Sequence, residues 1–335
     1  MTAGPTRARR FARFRIRGIP GFILRRTLLG LLTLFLVSVV VFAATQALPG
    51  DAARAILGRT ATPDSLAALR EQLHLNEPVL QQYTHWLSGL LHGDLGRSLA
   101  ANEAVTQLLR NRFENSAVLV LLAALISTPL AVFLGAVTAR RRDTPFDHGA
   151  SIVMLALAAL PEFVVGIGLV VLLGTTVFTV LPAVSLIPPD SSPWSHLNEL
   201  VLPTLTLVIV VFPYTARIMR ASMVEVLESD YVEMARLKGM PERKVVWRHA
   251  VPNAIAPTIQ VTALNLAYLA GGIVLVEFVF GYAGIGSALV DAVHNRDVPV
   301  VQALAMLIAA VYIVLNVLAD VASILVSPRL RTSLQ

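Results

Sequence analysis

Apolar residues along the chain gather into six long runs, separated by segments of different character. The runs are Leu28–Leu48, Ala117–Val137, Ile152–Leu173, Leu200–Ile218, Ile255–Phe280 and Val298–Val326. Each is close to or above the roughly 20 residues that a helix needs to cross about 30 Å of hydrocarbon. The third stays apolar as far as Val184. The first is too long for a signal-peptide core and lacks a small-residue cleavage site, so it reads as an uncleaved membrane helix. Six spans place both termini on one side. The arginines agree: Arg7, Arg9, Arg10, Arg13, Arg15, Arg17, Arg25 and Arg26 precede the first run, Arg140–Arg142 close the second, and Arg329 and Arg331 follow the sixth. The loop 185–198 holds no Lys or Arg. The positive-inside bias then puts both termini in the cytoplasm. The expected fold is an all-α polytopic membrane protein. Its divisions are a basic tail (1–26), a first helix (27–48), an extracytoplasmic subdomain (49–112), a core of helices two to six (113–326) and a second tail (327–335).

The subdomain mixes acids with arginines and has no spanning run. Thr62-Pro63-Asp64 is a helix start, with a cap, a proline at the first position and an acid in the first turn. Leu66, Leu69 and Leu73 continue it at helical spacing as far as Leu75. Gly93-Asp94-Leu95-Gly96 is a turn. His74, His85 and His92 are spaced for no single helical face, and solvated histidines outweigh a metal site.

One stretch between the fourth and fifth runs departs from the pattern. Asp230–Pro257 holds both lysines of the chain, Lys238 and Lys244, with Arg236, Arg243, Arg248 and His249. A helix is expected from Glu228 to Lys238, with Tyr231, Met234 and Ala235 at i, i+3, i+4 on one face. Gly239 and Pro241 end it and start a second helix, which Pro252 ends. The result is a compact helix–turn–helix in a loop spanning 220–254, read as a docking surface.

Composition narrows the class. The 335 residues are 56% hydrophobic and 14% charged, with a mean hydropathy of +0.70, whereas soluble domains run near a quarter charged. The absence of cysteine excludes disulfides and thiolate chemistry. The net charge of +6 lies at membrane edges, so topology explains it and a nucleic-acid partner is not expected. No G-x-x-x-x-G-K-[ST] loop is present, so the chain does not cradle ATP by that device. No catalytic or metal constellation stands out, and no enzyme activity is expected.

Within or at the ends of the runs lie Pro129, Pro161, Pro203 and Pro213, and three acids, Glu162, Glu277 and Asp320. A charge at membrane depth is expensive, so these acids should face a cavity, a partner or the interface. Glu162, Asn265 and Glu277 are candidates for a translocation path. Asn265 and Asn316 also suit hydrogen bonds between helices, and Gly271-Gly272 suits close helix packing.

Glu233-Met234-Ala235, Gly239, then His249, Val251 and Pro252 resemble the EAA loop of ABC-importer permeases in spacing throughout. Met234 replaces the middle alanine, and His249 stands where an aliphatic residue is usual. Leu48-Pro49-Gly50-Asp51, Leu69-Arg70 through Gln82-Tyr83, Gly93–Gly96, Arg220-Ala221-Ser222-Met223, Glu277–Gly286, Asp297–Gln302 and Ser327–Arg331 extend the likeness across nearly the whole chain. Together they resemble the B-type permease of dipeptide/oligopeptide importers, a branch that includes nickel and glutathione systems. The resemblance implies a type I ABC importer fold in a bacterial inner membrane and a heterodimer with a second permease. It also implies two cytoplasmic ATPases that carry ATP and Mg, and an extracytoplasmic binding protein. Tyr231, Glu233, Met234, Ala235, Gly239, His249, Val251 and Pro252 would then couple to the ATPase, with no cofactor in this chain. A proton-coupled carrier using Glu162, Glu277 and Asp320 is the competing class.

Overall fold

A computed structural model describes residues 19–47, 62–72, 76–188 and 191–326. The termini, Leu48–Asp51, His74 and the helix end expected at Leu75 lie outside the described residues. Those residues form eleven α-helices of eight residues or more, and the one β-type pairing among them is an isolated bridge between Arg97 and Ala104. The helices are α1 (Ile19–Gln46), α2 (Pro63–Gln72), α3 (Val79–Leu91), α4 (Val105–Arg140), α5 (Pro145–Ala158), α6 (Glu162–Leu169), α7 (Leu197–Leu227), α8 (Asp230–Leu237), α9 (Val251–Phe280), α10 (Ile285–His294) and α11 (Val298–Val326). Four of them, α1, α4, α7 and α11, are long and apolar enough to cross a membrane, and six spans result if each of two bent pairs counts as one.

The third run is not one helix. α5 and α6 meet at an angle of 102°. Pro161 lacks the N–H that would continue α5, and its ring disfavours helical geometry at Leu160. Side-chain contacts hold the two halves apart. Met154 of α5 packs with Ala131 and Ala216, while Gly166 of α6 sits against Phe280. Beyond α6 a π-turn, Val170–Thr175, leads into irregular chain.

α4 is longer than the run that marks it. Its 36 residues extend about 54 Å, and it passes unbroken through the expected boundary at residue 112. The polar first turns are held by a second core, in which Val105 and Leu109 pack with Ile285, Ala288, Val300 and Leu304. The main core lies between α4, α7 and α9, around Leu119, Leu202, Leu207, Ile273 and Phe280. α4 and α7 touch backbone to backbone: a Cβ on Gly135 would lie 2.7 Å from the Ala216 carbonyl. Small residues serve this purpose in membranes, where close packing replaces the hydrophobic effect between helices. α1 packs on α11 and leaves Leu28, Leu31, Phe35 and Val40 exposed. At Gly271, by contrast, an added Cβ would meet nothing within 4 Å among the described residues, so no close helix contact is seen there.

Candidate coupling site and transmembrane path

The basic loop folds as a short helix, a turn and a lead-in to α9. Ser229 precedes α8 in extended geometry, and Asp230 and Glu233 occupy the first turn, where the helix dipole favours acids. The apolar residues of α8 divide between two sides. Val232 and Ala235 are buried with Val245 against Val226 and Leu227. Tyr231, Met234 and Leu237 face outward, 47%, 53% and 75% exposed. Ala235 therefore belongs to the inner side, not to the face that carries Tyr231 and Met234. Val251 is buried too, with Met219, Met223 and Ala250. Neither residue is available to a partner in this conformation. Glu233 and Pro252 are exposed, and His249 is half-buried.

Gly239 has φ +75° with open space around it. Its N–H donates to the Arg236 carbonyl (2.9 Å), so the glycine closes α8 in left-handed geometry. Arg236 then braces the turn. It donates to both Glu242 oxygens (3.2 and 3.0 Å) and to the Leu227 carbonyl. The Glu242 carboxylate raises the Arg236 guanidinium pKa further, so the arginine stays charged. Pro252 does not end the second helix. It lies in the first turn of α9, after a π-turn at Val245–Ala250. The wider turn removes the demand for a donor at the proline and lets the helix run on.

Beneath the loop lies an ion pair that the sequence pattern did not reveal. Arg220 of α7 donates twice to Asp147 of α5, at 2.7 and 2.5 Å. Asp147 is 2% exposed. Arg142 pairs with Glu228 nearby. The signal was present: Thr144-Pro145-Phe146-Asp147 repeats the cap, proline and acid of Thr62-Pro63-Asp64, and the Thr144 hydroxyl accepts from the Asp147 N–H. These pairs tie α5 and the end of α4 to α7, and α8 rests on the end of α7 through Val226 and Leu227. Removing Asp147 leaves Arg220, 27% exposed, without its partner, a loss that solvent reduces below the roughly 3–5 kcal/mol of a fully buried pair. Asp147→Asn should therefore lower the melting temperature of the detergent-purified protein markedly, as read by tryptophan fluorescence; an unchanged melting curve would deny the pair a structural role.

At the opposite end, Glu277 is fully buried. It accepts from the Ser116 hydroxyl (2.5 Å) and from the backbone N–H groups of Gly286 (2.7 Å) and Ser287 (3.1 Å) at the start of α10. It fastens α9 to α4 and caps α10, and its side chain is enclosed within this chain. Asp297 plays a matching part: it accepts from the Ser98 hydroxyl and from the N–H groups of Leu99 and Ala100. Gln302 donates to Thr45 of α1 (2.7 Å). The stretches Gly93–Gly96, Glu277–Gly286 and Asp297–Gln302 thus belong to one assembly.

The other candidates separate. Asn265 donates to Thr215 of α7 (2.8 Å) and lines a small cleft between α4, α7 and α9. Asn316 donates to the Tyr312 carbonyl of its own helix. Asp320 pairs with Arg26 (2.9 Å). His85 meets Glu77 and His92 meets the Ser88 carbonyl. Among the described residues no three potential ligands gather as a metal site. Glu162 is half-buried and accepts from the Tyr268 hydroxyl at 3.3 Å.

Residues 131–332 match the family described as binding-protein-dependent transport system inner membrane component, and residues 19–121 match its N-terminal domain. The chain belongs to this family. A relative from Sinorhizobium fredii, described as a probable peptide ABC transporter permease protein, is 36% identical over 92% of this chain and 99% of its own length. The glutathione transport system permease protein of Escherichia coli is 35% identical over 92% of this chain and 98% of its own. A peptide transport system permease relative from Brucella abortus is 34% identical over the same share. This permease is a multi-pass component of a transport complex.

Proposed function

We propose that this permease forms half of the translocation path of an ATP-driven importer for di- and oligopeptides. It pairs with a second permease and docks two cytoplasmic ATPases, which carry ATP and Mg, while an extracytoplasmic binding protein delivers substrate. Both termini and the basic loop face the cytoplasm, and the subdomain of α2 and α3 faces outward. The chain itself catalyses nothing. The observation that carries this reading is the outward face of α8. Tyr231, Met234 and Leu237 stand exposed on a helix whose other side is locked into the core, with Glu233 beside them. An apolar patch rimmed by charge, on a rigid support, suits a partner surface.

ATP binding would draw the two ATPases together, and α8 would carry that motion through Arg220–Asp147 and the buried Val251 cluster into α4, α5 and α7. Peptide as substrate rests on the relatives named for peptide transport; the relative named for glutathione, itself a small peptide, supports the same class over nickel. A proton-coupled mechanism has little support, since Glu277 is engaged by three donors of its own chain and Asp320 is paired with Arg26. Uptake of labelled dipeptide into vesicles bearing the whole complex should survive collapse of the proton gradient and stop without ATP. The opposite result would assign the protein to the secondary carriers.

A further inference from the structure

α3 is an amphipathic helix whose apolar arc is wider than its contact with the chain. Gln81, His85 and Ser88, at i, i+4, i+7, form an exposed polar side. Tyr83, Trp86 and Leu90, at i, i+3, i+7, are half-buried and turn towards the chain. Leu80, Leu87 and Leu91 adjoin Tyr83 on the helix surface and extend the apolar arc away from it. Leu80 and Leu91 are 73% and 77% exposed. The helix holds no Asp, Glu, Lys or Arg.

Two side-chain pairs fix the height at which this helix sits. α1 and α11 pack side by side and antiparallel. Arg26 meets Asp320 at one end, and Gln302 donates to Thr45 at the other. Nineteen residues of α1 separate the two pairs, about 28 Å at 1.5 Å per residue. That is close to the roughly 30 Å of the hydrocarbon core, so the pairs mark its two faces. α3 follows the second face along its length. Near its start Gln46 donates to Gln82 (2.7 Å), and near its end Gly89 shares a groove with Pro299 and Gln302. Both points stand at the height of the Thr45–Gln302 pair, so α3 runs in the plane of the membrane. Its aromatic side points inward. Tyr83 and Trp86 pack on Phe42, with ring centroids 5.3 and 5.7 Å apart. The Tyr83 hydroxyl lies 2.9 Å from that of Ser38, seven residues below Thr45 and so about 10 Å inside the boundary. At this depth α1 also leaves Val39 and Val40 exposed, so apolar surface on this flank is not confined to α3.

We propose that α3 is a membrane-surface anchor. It lies along the bilayer with Leu80, Leu87 and Leu91 among the acyl chains of the leaflet opposite the basic loop, and with Gln81, His85 and Ser88 towards water. An interfacial helix sinks its apolar face about 5–10 Å past the headgroup boundary, the depth that Tyr83 reaches. Tyr and Trp suit that level, with an apolar ring and a polar tip that finds a partner. The partner is the acyl region of the lipid and not an anionic headgroup, because α3 has no cation to attract one. The anchor holds the segment between α1 and α4 beside the start of α11, where Gly93–Gly96 and Asp297–Gln302 meet. The inference concerns the bilayer alone and stands whatever the complex transports.

The chain has no cysteine of its own, so a single introduced cysteine reports one position. Leu80→Cys, Leu91→Cys, Gln81→Cys and Ser88→Cys, all at exposed sites, are each labelled with a small fluorophore. The permease is purified with its partner subunits, cleared of reactive cysteines, and placed in phosphatidylcholine nanodiscs. Quenching by phosphatidylcholine carrying a doxyl group near the top of the acyl chain is divided by quenching by iodide in the water. That ratio should be roughly threefold or more higher at positions 80 and 91 than at 81 and 88. It should be unchanged when phosphatidylglycerol is added. Equal ratios at all four positions overturn the anchor. So do labels at 80 and 91 that neither quencher reaches, because a protein subunit then covers the face. A difference that appears only with phosphatidylglycerol overturns it as well, by making headgroup charge the attraction.

Discussion

Replacing Gly239 by glutamate leaves the permease in the membrane at normal abundance and abolishes uptake. The reason is backbone geometry and not space. Gly239 holds φ +75°, and nothing lies within 4 Å of where a Cβ would stand. A side chain there meets no neighbour, but an L-residue in left-handed geometry costs about 1–2 kcal/mol. The turn relieves that strain by rotating α8 against the lead-in to α9. The core beneath resists: Val232 and Ala235 are clasped by Val245 and Leu227, so the protein still folds and inserts. What shifts is the outward set, Tyr231, Met234 and Leu237, and the bracing pair of Arg236 with Glu242. Docking needs those groups in register, and the added carboxylate places a new charge beside them. Asparagine, which tolerates left-handed geometry, should retain most of the uptake. Immunoblots of membranes alongside ATP-dependent uptake measure the two effects separately. Full uptake by the glutamate variant at normal abundance would remove the docking role.

Run length made the spans legible, because crossing a bilayer is a demand on consecutive residues. Gly239 was legible for a similar reason: a glycine followed by Pro241 between helical patterns marks a turn from local chemistry alone. Thr62-Pro63-Asp64 likewise begins α2, where the Thr62 hydroxyl accepts from the Ser65 N–H. The failures share a cause as well. Glu277 read as a stray charge because Ser116, the partner that explains it, lies 161 residues away in sequence. Pro161 showed where a break would fall, but the 102° angle depends on which neighbours receive Met154 and Gly166. In α8 the apolar residues nearly encircle the helix, so spacing could not say that Val232 and Ala235 face in while Tyr231 and Met234 face out. The polar start of α4 looked like loop because its apolar side, Val105 and Leu109, has too few residues to announce itself without α10 and α11.

Gly284→Ala should be among the most destabilising single changes in the chain, for a reason opposite to that at Gly239. Gly284 has φ −108° and ψ −172°, an extended conformation open to any residue. Here the constraint is space. An added Cβ would lie 2.1 Å from one Glu277 oxygen and 2.2 Å from the carboxyl carbon. The carboxylate cannot step aside without releasing Ser116 and the two N–H groups of α10, and each buried group left unpaired costs about 1–3 kcal/mol. Glu277→Ala incurs those same losses directly. The two substitutions should therefore not add: once the carboxylate is gone, the methyl at position 284 has room, and its further cost should fall close to zero. Thermal unfolding of the purified permease as the two single variants and the double variant measures that coupling. A double variant as destabilised as the sum of the singles would mean that Glu277 and Gly284 act independently, and that the knot joining α4, α9 and α10 is not built as its distances indicate.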